Sequence, residues 1–386
     1  MKKAVMFGGG NIGRGFIGAV LSQADYRVVF ADVNVDLINK LNALGTYTVH
    51  IVDTECSQQV VNNVGGVNST TQDVVSEIAS ADLVTTAVGL MILPRIAGAV
   101  ANGIKARMES GCKEPLNIIA CENAIRASSQ LKKAVYEHLD AQAAAYADTY
   151  IGFPDCAVDR IVPPVKNDPD HPLDVAVESY YEWSVERRGF CGEIPNIPAM
   201  HVVEDLMAYL ERKLFTLNTG HCVTAYLGVI KGYETIDKAI ADEKIYAIAY
   251  GAMTESGNGL IAKHGFNPAD HWAYRDTCLN RYKNPYLQDV LVRVGREPNR
   301  KLSNTDRLVG PMLNAHSYGF AVDNLIKGIA AGLRFDYEGD PQSQILQEKI
   351  RTMGLRAAAA EITGITDEAL LDRIVKAYDT VADEVM

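Results

Sequence analysis

Apolar residues come first in short runs and later at helical spacing, and this change of period divides the chain. Residues 3–7 form an apolar run that predicts a strand, residues 8–10 a tight loop and residues 11–24 an amphipathic helix; residues 26–31 predict a second strand ending at Asp32. A βαβ unit of this kind favours a parallel sheet. Residues 46–71 alternate, first from Tyr47 to Val52 and later from Gln58 to Val61, and predict an inserted antiparallel hairpin. Residues 82–88 and Leu116–Ala120 read as two more buried strands, each bounded by a helical segment, and residues 175–183 alternate again. After Pro195 and Pro198 nearly everything from about Val202 to Met386 reads as helix, broken near Gly232, Gly265, Pro285, Pro298 and Pro341. The pattern predicts an α/β sheet domain over residues 1–193 and a mainly α-helical domain over residues 194–386.

Composition narrows the class. A chain of 386 residues is too long for one ordinary core, and 48% hydrophobic with 22% charged residues is normal for a globular protein. The net charge of −11 argues against a nucleic-acid or anionic-membrane partner, because counterion release needs clustered Lys and Arg. Seven scattered cysteines without a Cys-x-x-Cys pair indicate neither a disulfide framework nor a zinc ribbon, and fit a reducing cytoplasm. Glycines, Asn11 and Arg14 interrupt the apolar run near the N-terminus before it could serve as a signal peptide, and no apolar stretch approaches the eighteen or so residues a membrane helix needs.

The first candidate chemistry lies in Gly8-Gly9-Gly10-Asn11-Ile12-Gly13, a G-x-G-x-x-G match directly after a strand and opening a helix. The first glycine allows the tight turn, the second lets backbone approach a pyrophosphate and the third lets helix pack on strand. Asp32 lies nineteen residues after Gly13, where a carboxylate would accept from both ribose hydroxyls and repel a 2′-phosphate. The expectation is a Rossmann-type, doubly wound domain that binds NAD rather than NADP. Val88, in Thr86-Ala87-Val88-Gly89, would lie toward the nicotinamide; the plain alternatives are a buried strand end there and a capping role for Asp32. Arg14 either touches the pyrophosphate or reaches the substrate.

The second lies in the segment from Glu211 to His221, which holds Lys213, Asn218 and His221. On a regular α-helix these fall at about 0°, 140° and 80°, so long side chains could converge on one small substrate. Taking a hydride from a secondary carbinol leaves an oxygen that must lose its proton, which calls for a base and for donors aimed at the developing alkoxide. Lys213 serves as that base only if burial or neighbouring cations depress its pKa. The plain alternatives are a solvated helix lysine, a core histidine beside Cys222, and turn or cap roles for Asn123 and Asn218. Tyr209-x-x-x-Lys213 also imitates the Tyr-Lys pair of short-chain reductases, but Asn196 stands where their upstream serine would be. His221 and Cys222 point apart as neighbours and no third soft ligand recurs at useful spacing, so a metal is not expected. Glu122 either orients Lys213 or caps a helix.

Lys213-x4-Asn218-x2-His221 resembles the signature of the polyol-specific long-chain dehydrogenases, the mannitol dehydrogenase family. The likeness extends over the glycine loop, residues 82–89, residues 117–123 and residues 158–164. It implies NAD-dependent, metal-independent oxidoreduction of a sugar phosphate, interconverting mannitol 1-phosphate and fructose 6-phosphate in a cleft between two domains of a monomer. It implies Lys213 as general acid/base, Asn218 and His221 as ligands of the reacting hydroxyl, and Asn123 as a second amide donor. Arg293 and Lys301 match positions that bind the polyol chain, and Asp159 one near it. Residues 296–300 depart from the glycine-serine loop of members acting on free polyols. With a phosphate ester as substrate, the basic run Arg293, Arg296, Arg300, Lys301 and Arg307 becomes the candidate phosphate site, against a solvated loop whose charges meet surface carboxylates. Two other functions are weighed: a hexuronate reductase acting on tagaturonate or fructuronate, and an NAD-binding sensor without turnover, against which Lys213, Asn218, His221 and Asn123 speak because a sensor has no need of a proton acceptor.

Overall fold

The computed structural model describes residues 1–53, 55–163 and 169–386; Pro164, the last residue of the family-like stretch 158–164, lies outside them. The strands in chain order are β1 (Lys2–Phe7), β2 (Tyr26–Asp32), β3 (Thr46–Ile51), β4 (Ser57–Asn62), β5 (Val64–Asn68), β6 (Leu83–Thr86), β7 (Leu116–Ala120), β8 (Ile151–Gly152), β9 (Cys156–Asp159), β10 (Val175–Val177), β11 (Glu182–Glu186) and β12 (Met200–Val203). Six of them make one parallel sheet in the order β5-β2-β1-β6-β7-β8. That order reverses direction at β1, the arrangement of a doubly wound dinucleotide-binding fold.

The strands are apolar on both faces because both faces are covered. Val5, Phe7, Val29, Ala31, Val84 and Ile118 pack with apolar residues of α3 (Gln72–Ala79), α4 (Leu93–Glu109), α5 (Ala127–Tyr136) and α6 (Ala141–Tyr150). Their neighbours Ala4, Met6, Val28, Phe30, Leu83 and Ile119 face the other way. There they meet Phe16, Ile17 and α1 (Ala19–Gln23), with Ile38 and Leu41 of α2 (Val35–Leu44) and residues of the smaller sheets.

The predicted hairpin is half of what residues 46–71 form. β3 and β4 pair antiparallel with Tyr47 opposite Val61, and β10 adds to β3 in parallel. The chain then turns at Asn63, φ 57°, and β5 joins the main sheet beside β2. Gly66 permits this, since a Cβ there would lie 2.8 Å from Ile38 Cδ1. The alternation at 175–183 likewise resolves into two strands, β10 and the start of β11, in different sheets.

Two compact units divide between Tyr209 and Leu210. Residues 194–203, expected in the helical domain, contribute β12 to the first unit because Met200 pairs with Trp183 of β11. The remaining helices are α7 (Leu206–Arg212), in which the division falls, α8 (Asn218–Lys231), α9 (Ile236–Ile240), α10 (Glu243–His264), α11 (Pro268–Tyr282), α12 (Leu291–Gly295), α13 (Pro298–Lys301), α14 (Val309–Ser317), α15 (Asp323–Leu333), α16 (Pro341–Met353), α17 (Leu355–Thr363) and α18 (Glu368–Val385). Their punctuation follows the predicted breaks. Gly232 and Gly265 end α8 and α10 in the left-handed conformation, and Pro298 and Pro341 open α13 and α16 at a position that needs no N–H. No described helix is long and apolar enough to cross a membrane.

Candidate active site

In the first unit the glycine loop follows β1 at the point where the strand order reverses. Gly8 has φ +95°, and a Cβ on it would lie 2.4 Å from the Ala87 carbonyl oxygen; one on Gly13 would lie 2.0 Å from the Gly8 carbonyl. Both glycines are therefore required by close backbone packing. Gly10 differs, being exposed with nothing within 4 Å of its would-be Cβ, which leaves the middle of the loop open to a ligand. Asn11 and Ile12, both exposed, begin the helical turn above it. Asp32, half-buried at the end of β2, accepts from Gly9 N at 2.7 Å and Asn34 N at 2.9 Å. The backbone thus fixes the carboxylate beside the loop. A nicotinamide dinucleotide fits this donor set: open backbone for a pyrophosphate, and an oriented anion for ribose hydroxyls.

Arg14, left open between cofactor and substrate by its sequence position, is a brace. Its buried guanidinium donates to Gly9 O at 2.8 Å and to Leu173 O, and its carbonyl accepts from Tyr47 Oη at 2.7 Å. Glu122 is also a brace. It is buried and accepts from Thr86 Oγ1 at 2.6 Å, Val88 N at 2.9 Å and Gly89 N at 2.9 Å, so it ties the end of β7 to the end of β6. Asn123, the next residue, is exposed in the bend after β7, while Val88 is half-buried. Asp159 is buried at the end of β9, opposite Glu182.

In the second unit the segment from Lys213 is not a regular α-helix. Lys213–Leu217 is a π-helical turn, closed where Asn218 N–H donates to the Lys213 carbonyl. Such a turn holds one residue more than an α-turn. Counting one residue fewer, Asn218 and His221 move from about 140° and 80° to about 40° and −20° relative to Lys213. All three then share about 60° of one face. The carbonyls of the turn have side-chain partners: Ser256 Oγ donates to Phe215 O, Tyr282 Oη to Leu217 O, and Thr219 Oγ1 to Leu214 O at 3.4 Å. A second π-helical turn, Gly13–Gly18, follows the glycine loop, so each of the two sequence motifs coincides with one.

His221 is held on two sides. Its Nε2 lies 2.8 Å from Asp289 Oδ2, and its ring stacks on Tyr282 with centroids 5.3 Å apart and planes 6° from parallel. A carboxylate only accepts, so Nε2 carries the proton and Nδ1 keeps its lone pair. Burial, with Arg293, Arg281, Arg307 and Lys301 nearby, pushes the His221 pKa down to about 3, and the imidazole is neutral at ordinary pH. Asp289 also pairs with Arg293 through Oδ1. Neither Asp289 nor Tyr282 was singled out by the sequence; the spacing of Asp289 four residues before Arg293 was the available signal.

The basic run does not form one cluster of unpaired cations. Arg293 pairs with Asp289; Arg300 donates to Glu297 Oε2 at 2.8 Å and Asp306 Oδ2 at 3.0 Å; Arg307 donates to Asp306 Oδ1 at 2.7 Å. Lys301 is buried, donates to the Val294 and Arg296 carbonyls, and has a lowered pKa because of that burial. Arg296 is exposed and, among the described residues, makes no ion pair.

A doubly wound dinucleotide-type sheet followed by a helical unit carrying a Lys-Asn-His face defines the class of a two-domain dehydrogenase. Residues 2–199 match the mannitol dehydrogenase Rossmann domain and residues 205–382 the mannitol dehydrogenase C-terminal domain. The chain belongs to the mannitol dehydrogenase family. Its fold is similar to that of a D-sorbitol dehydrogenase in substrate-free form, at 16% identity over 99% of this chain and 94% of that one, with a TM-score of 0.84. It is also similar to Pseudomonas fluorescens mannitol 2-dehydrogenase, solved as a ternary complex with NAD and D-mannitol, at 16% identity over 100% and 93%, with a TM-score of 0.69.

Proposed function

We propose that the protein interconverts D-mannitol 1-phosphate and D-fructose 6-phosphate with NAD, the activity of a mannitol-1-phosphate 5-dehydrogenase. The observation that carries the reading is the π-helical turn at Lys213, which aligns an amine, an amide and a neutral imidazole on one helix face in a mannitol dehydrogenase family member. A secondary carbinol needs a base for its proton and a donor at its oxygen, and an acceptor beside them holds the next hydroxyl of a polyol. NAD, when bound, supplies the hydride acceptor. Gly8, Gly9, Gly10, Asn11, Ile12 and Gly13 would hold its pyrophosphate, Asp32 its ribose hydroxyls, and Val88 would line the path toward its nicotinamide.

Lys213 takes the proton from the carbinol oxygen and returns it in the reverse direction. Asn218 and Asn123 donate to that oxygen, His221 holds the reacting end of the substrate by accepting at Nδ1 from the neighbouring hydroxyl, and Asp159 and Arg293 bind the polyol chain. Arg296 and Arg300 are the phosphate ligands; Arg296 makes no ion pair among the described residues, whereas Arg300 already faces two carboxylates and would have to share its guanidinium with the phosphate. Lys301 acts from behind them by holding the Val294 and Arg296 carbonyls.

The test is NADH and NADPH oxidation with a panel of fructose 6-phosphate, free ketoses, tagaturonate and fructuronate. Turnover of fructose 6-phosphate with NADH well above the rest is expected. Preference for a ketouronate would replace the substrate assignment with hexuronate reduction. Tight NADH binding without turnover of any ketose would favour a sensor.

A further inference from the structure

We infer that Asp289 is a positioning residue that fixes His221 in the Nε2–H tautomer and so makes Nδ1 an acceptor for a substrate hydroxyl next to the reacting one, whose own proton goes to Lys213. This rests on the role given to His221 in the proposed reaction. The Nε2–Oδ2 distance of 2.8 Å is that of a direct hydrogen bond, and Asp289 is itself buried at 7% side-chain exposure. Its position is set from several directions. Its carbonyl accepts from Ile236 N at 2.9 Å, Oδ1 holds Arg293, and the neighbouring α12 packs on α8, where a Cβ on Gly228 would lie 2.7 Å from Leu291 Cδ1. Tyr282 closes the remaining face of the ring by stacking on it, and its hydroxyl reaches the Leu217 carbonyl of the π-helical turn. The imidazole therefore has little rotational freedom, and only the carboxylate decides which nitrogen is protonated. A neutral imidazole with the opposite tautomer would present an N–H to that neighbouring hydroxyl in place of a lone pair, the change that follows when an orienting aspartate in a catalytic triad becomes asparagine. Arg293 shares the same carboxylate, so substrate contacts that draw on Arg293 act on the group that orients His221.

The experiment combines ring 15N NMR of His221, assigned with a His221→Gln variant, and a double-mutant cycle on the full chain. In the wild type, Nε2 should carry the proton and Nδ1 should be unprotonated. Asp289→Asn should shift population toward Nδ1–H and lower kcat with fructose 6-phosphate at least about tenfold, while leaving NADH affinity within about twofold. Asp289→Glu, which keeps a carboxylate, should retain the tautomer and recover part of kcat. In a His221→Ala background, Asp289→Asn should change kcat at saturating substrate less than about twofold, the loosened Arg293 raising KM instead. A wild-type Nδ1–H tautomer, or losses that multiply in the double variant, would overturn the assignment. If the wild type turns over no ketose, the reaction assignment fails alone, and the tautomer measurement still decides whether Asp289 governs His221. If Asp289→Asn does not fold, the wild-type and Asp289→Glu spectra decide it.

Discussion

Asn218 N–H donates to the carbonyl of Lys213, five residues back, and that bond decides which way the polar side chains of the segment face. The wider turn persists because its carbonyls are answered by side chains, above all by Ser256, which is fully buried and donates to Phe215 O.

Ser256→Ala should therefore affect stability and chemistry together. An unanswered buried carbonyl costs about 1–3 kcal/mol, and the segment gains a reason to rewind. Thermal or urea denaturation should show that loss, and kcat should fall by more than the unfolded fraction explains. A variant that is less stable but retains full kcat would show that the register of this turn is irrelevant to catalysis.

Lys213→Ala tests the assigned base directly. Turnover should drop by orders of magnitude with NADH affinity unchanged, because a positioned acid/base contributes about 10²–10⁴-fold and the nucleotide residues belong to another segment. A loss below about tenfold, measured under saturating substrate, would strip Lys213 of the role.

What could be read from the sequence was local. The glycine loop, the strand before it and Asp32 follow from short-range sterics, and the structure has Gly8, Gly13 and the Gly9–Asp32 bond where those sterics need them. The π-helical turn was not legible, because reading helices by a 3.6-residue period presupposes the turn it would have to detect. Asp289 and Tyr282 meet His221 only through packing of segments distant in sequence. The same holds for Arg14, whose second main-chain partner, Leu173, lies 159 positions away. The basic run was visible as charge, and so was the alternative that its charges meet carboxylates; which ones they meet, Asp289, Glu297 and Asp306, is set by the fold. β5 was absorbed into the hairpin because both contain valines beside polar residues; only Asn63 and the two glycines after Val64 mark the change of sheet.

Cofactor choice should turn on the charge of Asp32. Asp32→Asn keeps an oxygen that can accept from Gly9 N but removes the anion that repels a 2′-phosphate. The ratio of kcat/KM for NADH over NADPH should fall at least about tenfold, roughly the effect of 1.4 kcal/mol. An unchanged ratio would mean that discrimination resides elsewhere in the loop.

Stability should fall in acid before most carboxylates titrate, and two histidines are the reason. His271 is buried beside Arg212 and Arg275, and burial is the larger cause that pushes its pKa down to about 4; His221 is pushed down to about 3. The folded values lie below the ordinary 6.5, so the unfolded chain takes up these protons first. Stabilisation by the neutral rings is complete above about pH 6.5 and is lost as pH falls toward 4 for His271 and 3 for His221. For His271 the whole effect is on the order of 3 kcal/mol. The His271→Leu variant has no proton to gain there, so its urea midpoint should decline less steeply between pH 6.5 and 4 than that of the wild type. Both histidines contribute in that interval, so the slope should be reduced and not abolished. Parallel curves for variant and wild type would show that His271 does not resist protonation in the fold.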